Sequence, residues 1–234
     1  MSLKKEIKLH TIISSLLISF MIVTLLGILL NFNHTSNSLG MELLKINETQ
    51  TQSANAVTSV VTYFRGLDTL GEVTILFLSI FGISYAIGES KLKRNILKDE
   101  NQLLQIGVKV LFPIIILFGI YIVINGHLSP GGGFQGGVII ASAFLLKFLA
   151  FGDNITLNHK IISFLESLSG AAFILTGILG VLVMDRFFGN FLPLGETGNL
   201  FSAGVIPLIY IFVGLKVASE IILLINYFIK AKDV

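Results

Sequence analysis

Cysteine is absent from the chain, and its four histidines, His10, His34, His127 and His159, fall at expected helix ends or in loops. No set of side chains suits haem, an iron–sulfur cluster or zinc, so electron carriage by this chain is not expected, nor is any bound metal or cofactor. Charge is scarce too. Asp, Glu, Lys and Arg make up 13% of the residues, where a soluble domain carries roughly a quarter. Hydrophobic residues make up 53%, and the mean hydropathy is +0.87. With so little charge to hold its surface in water, the chain is expected to have lipid as its solvent.

A helix crossing a hydrocarbon layer about 30 Å thick needs about 20 mostly apolar residues at about 1.5 Å each. Windows of that kind run from Leu9 to Leu30, Leu70 to Ile87, Ile106 to Ile124, Phe134 to Phe151, Ile161 to Met184 and Phe201 to Phe228. They predict an all-α, polytopic membrane protein of about six transmembrane helices. The first window has a basic start (Lys4, Lys5, Lys8) but is long and followed by Asn31-Phe32-Asn33-His34 rather than a small-x-small cleavage site, so it reads as a retained helix. Lys and Arg gather in cytoplasmic loops. With an N-in and C-in arrangement, the cytoplasmic side collects most of the 16 basic residues, among them Lys91, Lys93, Arg94, Lys98, Lys109, Lys147, Lys160 and Lys230. The outer side receives Lys45, Arg65 and Arg186, and Lys216 lies inside the last span.

The polar stretch Asn31 to Ser53 is an external loop or a surface helix. Glu89 to Gln105 is the most charged stretch and separates a two-span front, residues 1–100, from a four-span back, residues 101–234. An ordinary cytoplasmic loop without modular meaning accounts for it equally well. Between the third and fourth spans runs Asn125-Gly126-His127-Leu128-Ser129-Pro130-Gly131-Gly132-Gly133-Phe134-Gln135-Gly136-Gly137. Pro130 removes a donor and the glycines reach positive φ cheaply, which allows a sharp turn, while Gly136 and Gly137 let a neighbouring backbone approach. Two readings stand: a tight hairpin with a small-residue seam, or non-helical backbone lining a wet cavity. A phosphate-cradling loop is not expected, because no lysine follows at the required spacing.

Charges within lipid are costly, about 2.5 to 3.5 kcal/mol each at a helix centre. Lys216 and Glu220, four residues apart in the last span, share a helical face as a neutral pair or a shared proton, in a proton or cation path or as a packing anchor. Arg65, Asp68 and Glu72 would share a face at the start of the second span if helix persists through Gly66 and Gly71. Glu72 is then a candidate to take up or release a cation, or an interface residue paired with Arg65. Lys147 and Glu166 lie inside the cytoplasmic ends of spans four and five, where snorkelling explains Lys147 and a Lys147–Glu166 contact requires adjacent helices. Asp185 and Arg186 are expected to be solvated.

The stretch Phe64-Arg65-Gly66-Leu67-Asp68-Thr69-Leu70-Gly71-Glu72 resembles the FRGxDTLGE signature at the C-terminal end of the large A subunit of Mrp-type Na+/H+ antiporters. The glycine-rich run from Gly126 to Gly137 resembles the GHxxPGGGFxGG signature of the B subunit, the MnhB domain. The resemblance covers roughly residues 50 to 234. It implies a fused, non-catalytic subunit of an Mrp-like antiporter module, free-standing or built into a respiratory complex such as a membrane-bound hydrogenase or a sulfur-reducing relative. By position Glu72 matches the signature glutamate, and Pro130 and Phe134 match the signature proline and aromatic. Implied with it are Na+ and H+ as transported ions, large antiporter-like and NuoK-like sister subunits, and a multi-pass place in the inner (plasma) membrane. Lipid is the other expected partner, and no nucleic acid is expected. A membrane anchor without an ion path is the alternative.

Overall fold

The computed structural model describes residues 15–24, 26–27, 30, 38–87, 102–152, 155 and 157–231. Residues 1–41 and 42–234 form two compact units. In the first unit, Ser15–Thr24 (α1) is helical and apolar. Leu26, Gly27 and Leu30 of the first expected span are helical too; its remaining residues lie outside the described ones, as does nearly all of the charged segment proposed as a module boundary. The polar stretch that follows takes the surface-helix alternative, as α2, Ser38–Gln50.

In the second unit the short helix α3, Ala56–Ser59, passes into a π-helical turn, Val60–Phe64. Then come α4, Gly66–Ile87, α5, Gln102–Ile124, α6, Gly133–Phe151, α7, His159–Met184, and α8, Ile206–Ala231. These last five are long and apolar enough to cross a membrane. The last span begins at Ile206 rather than Phe201, because Phe201 to Val205 belong to a loop in which Ala203 and Gly204 take positive φ. The helix starts follow local chemistry: Asn158 accepts from the amides of Lys160 and Ile161 at the head of α7, and Asn55 accepts from Thr58 N at the head of α3.

Helix α8 is the centre. In its most apolar window 61% of the residues are buried, against 28% or fewer in the other four spans. Packed against it are α4, α5, α6 and α7, and α5 also packs on α6. The core, made of Val73, Phe173, Phe188, Val205, Ile209, Val213 and Val217, lies where α4, α7 and α8 meet the loop between α7 and α8. The outward faces of α4, α5 and α7 remain apolar and exposed, as with Ile75, Leu117 and Leu182. Surfaces of this kind are covered by lipid or by other membrane helices.

The glycines of the hairpin set how close α6 comes. Gly131 and Gly132 turn the chain at positive φ, +156° and +148°. A Cβ on Gly133 would lie 2.7 Å from Tyr210 O of α8, and one on Gly136 would lie 2.7 Å from Gly119 O of α5. On Gly137 it would lie 2.8 Å from Gly214 O of α8. The tight hairpin and small-residue seam thus hold for this run, with α6 wedged between two helices at backbone contact.

Candidate functional site

Three ionisable side chains meet in the interior of the bundle. Lys216 of α8 places Nζ 2.6 Å from Glu220 Oε1 on its own helix and 3.1 Å from Glu166 Oε1 on α7. The side chains are 9%, 1% and 14% exposed for Lys216, Glu220 and Glu166. The ring of Phe77, from α4, lies over the ammonium with its centroid at 4.9 Å. Gly170 on α7 makes room for the lysine stem, since a Cβ there would come 3.1 Å from Lys216 Cδ. Glu220 Oε2 takes no hydrogen bond among the described residues.

The pairing of Lys216 with Glu220 follows the four-residue spacing. Glu166 is the addition: the contact considered for it, Lys147, lies elsewhere, over the Phe112 ring. Residues Lys147 and Glu166 sit on α6 and α7, and each of these helices packs on α8. With both carboxylates ionised the cluster carries one negative charge more than positive. One bound proton or monovalent cation brings it to neutrality, which a low-dielectric setting favours strongly.

The acidic signature at the head of α4 is arranged differently from the shared face expected of it. The π turn ends at Arg65, whose φ of −121° and ψ of 34° break the helix before Gly66. Thr69 Oγ1 donates to the Val61 carbonyl, 2.7 Å. Arg65 pairs with Asp68, both exposed. Glu72 is exposed on α4 and makes no ion pair among the described residues, so its pairing with Arg65 is not what the structure holds. Gly66 is needed for contact, because a Cβ there would run into the Phe188 ring.

A second buried assembly joins the front segment to the glycine hairpin. Asn55 Nδ2 donates to the carbonyls of Gly126 and Ser129, both at 3.0 Å, and Asn55 N donates to His127 O at 3.0 Å. Ser53 Oγ donates to His127 O at 2.9 Å. Thr58 Oγ1 donates to Gly126 O at 2.7 Å and accepts from Tyr210 OH at 3.0 Å. His127 is fully buried and its ring nitrogens lack well-formed hydrogen bonds. Burial pulls the imidazole below its ordinary pKa, and the neighbouring backbone of Asn199, Leu200 and Ile124 offsets this only in part. The ring is therefore neutral at pH 7. Arg186 is exposed, as is Asp185; it also leans over the Tyr63 ring, 5.0 Å to its centroid, and donates to Gln50 Oε1 at 3.3 Å. Pro130 and Phe134 flank the turn, and Phe134 packs against the core.

The parts played by Thr58 and Tyr210 were not legible beforehand, since a lone threonine and tyrosine in apolar runs carry no pattern. Replacing Thr58 with valine removes a donor and an acceptor from a buried network. A loss of about 1–3 kcal/mol of stability is expected, read by thermal unfolding in detergent, with Thr58→Ser retaining most of it.

A family model described as "Domain related to MnhB subunit of Na+/H+ antiporter" matches residues 103–223. An uncharacterised protein of Methanocaldococcus jannaschii is 33% identical over 191 residues, 70% of this chain and 73% of its own length. A putative antiporter subunit mnhB2 of Staphylococcus haemolyticus is 35% identical over 122 residues, 47% of this chain and 86% of its own. Among solved structures, a chain of the membrane-bound sulfane sulfur reductase, an archaeal respiratory membrane complex, superposes with a TM-score of 0.76 at 36% identity. That match covers 95% of this chain and 98% of the other. A chain of the Mrp complex from Dietzia sp. DQ12-45-1b superposes with a TM-score of 0.69 at 21% identity, over 94% of this chain and 26% of that one, a likeness of fold alone.

Proposed function

Since the chain belongs to the MnhB family, whose model covers residues 103–223, we propose that it is a non-catalytic subunit of a multisubunit Mrp-type Na+/H+ antiporter module in which Glu166, Lys216 and Glu220 handle a proton or cation. The chain is a multi-pass membrane protein, for which the plasma membrane is the usual location. The observation that carries the transport role is the buried cluster with one carboxylate more than it has cations. An ammonium with a single carboxylate would suffice as a neutral packing anchor; the second carboxylate gives the group a place to load and unload one positive charge. The exposed Glu72 serves as a candidate relay toward a neighbouring subunit.

The nearly end-to-end match to a chain of the sulfane sulfur reductase supports a respiratory membrane complex as the setting. The putative antiporter subunit mnhB2 of Staphylococcus haemolyticus spans about half of this chain, which leaves that setting the better fit in length. Large antiporter-like and NuoK-like subunits are the partners expected on the exposed faces of α4, α5 and α7.

The test is transport in inverted vesicles that carry the assembled complex. With Glu220→Gln, Na+-driven proton movement, followed by a pH-sensitive dye, is expected to fall by on the order of tenfold or more, with complex content unchanged on a native gel. Glu72→Gln is expected to lower exchange in the same assay. Wild-type exchange at wild-type complex content in the Glu220 variant would sink the transport role, and loss of complex alone would favour the anchor.

A further inference from the structure

At the end of the bundle away from the glycine hairpin, two lysines share a cleft that the cluster does not use. Lys109 of α5 and Lys147 of α6 line an opening of about 370 Å³ with Val108, Phe112, Phe151 and Ile155. The lysines are held crosswise: Lys147 Nζ lies 4.7 Å from the ring centroid of Phe112 on α5, and Lys109 Nζ lies 6.0 Å from that of Phe151 on α6. An aromatic face positions an ammonium without neutralising it. Neither lysine meets a carboxylate among the described residues. Among the described residues, the cleft therefore presents two positive charges with no carboxylate partner above an apolar floor.

The depth fits a headgroup. Lys109 is about 10 Å along α5 from Gln102, and Lys147 is one turn from the end of α6; both are within snorkelling reach of the interface. The floor is formed by Val108 and Phe112 of α5 with Phe151 and Ile155. We propose that this cleft binds an anionic phospholipid, its phosphate between the two ammoniums and a hydrocarbon tail along Val108, Phe112, Phe151 and Ile155. A free phosphate would leave the floor unused. A carboxylate on a sister helix would have to be carried into the membrane at a penalty, whereas a lipid phosphate already lies at this depth.

The full chain purified in detergent is titrated with phosphatidylglycerol, phosphatidylcholine or inorganic phosphate, and bound lipid is counted by native mass spectrometry. Phosphatidylglycerol affinity is expected to fall about fivefold with Lys109→Gln or Lys147→Gln and about thirtyfold with both. The paired Lys109→Arg and Lys147→Arg substitutions keep it, and phosphatidylcholine binds all variants alike. Three results overturn the proposal: equal phosphatidylglycerol binding by the double glutamine variant, displacement of the lipid by millimolar inorganic phosphate, or zero-length cross-linking in native membranes that joins Lys109 or Lys147 to a carboxylate of another chain.

Discussion

Replacing Lys216 with methionine is expected to destabilise the protein by about 3–5 kcal/mol, because it strands two carboxylates in the bundle interior without their cation. Methionine keeps the length and apolar stem of lysine, so the loss reports charge rather than volume. The neighbouring substitutions should rank by the charge they leave behind. Glu220→Gln leaves Lys216 with Glu166, a neutral pair at 3.1 Å, and is expected to cost much less. Glu166→Gln leaves Lys216 with Glu220 at 2.6 Å and should behave similarly. Unfolding of the three variants in detergent, monitored by loss of helical circular dichroism on heating, checks the order. Equal destabilisation by all three would mean that packing, not charge, dominates the cluster.

The second large effect is expected in the seam. Gly136→Ala places a methyl group 2.7 Å from Gly119 O and 3.0 Å from Val123 N, both backbone atoms that cannot swing aside. Gly137→Ala meets Gly214 O at 2.8 Å and Val217 Cβ at 2.9 Å. Each is expected to lose about 1–3 kcal/mol through overpacking. Since α6 is clamped on both sides, the pair of substitutions should push it off α5 and α8 together. Gly107→Ala on α5 supplies the contrast. A Cβ there meets nothing within 4 Å, and alanine is the better helix former, so a gain of about 0.5–1 kcal/mol is expected in the isolated chain. Thermal unfolding of the three variants side by side checks both the sign and the size.

The spans were legible because a hydrophobic run of about 20 residues has few other uses, and the ends of α5, α6 and α7 fall within a few residues of the windows. The start of α8 was misplaced because Phe201 and Val205 both belong to a loop, the first exposed and the second buried in the core, and hydropathy does not separate apolar loop residues from a span. Lys216 and Glu220 could be paired from their spacing, which is a property of one helix. Their third member could not, since Glu166 stands 50 residues away and only the packing of α7 on α8 brings it near. The shared face of Arg65, Asp68 and Glu72 was conditional on unbroken helix, and the condition is not met for a local reason. Arg65 lies at the break, where the π turn ends and α4 begins. The glycine hairpin was readable as a turn and a seam, but not as the receiving end of hydrogen bonds from Ser53, Asn55 and Thr58. Carbonyls carry no letter in a sequence.

Those hydrogen bonds also govern how charge is distributed. They fasten the entry to α4 and the exit from α5 at one pole of the bundle, where the loop between α7 and α8 also returns to Gln50. The opposite pole then receives Ile87, Gln102, Phe151 and His159, and with them Lys109, Lys147 and Lys160. Among the described residues, three of the lysines on long helices are thus gathered at the pole opposite the hairpin, apart from the acidic residues Asp68, Asp185 and Glu196.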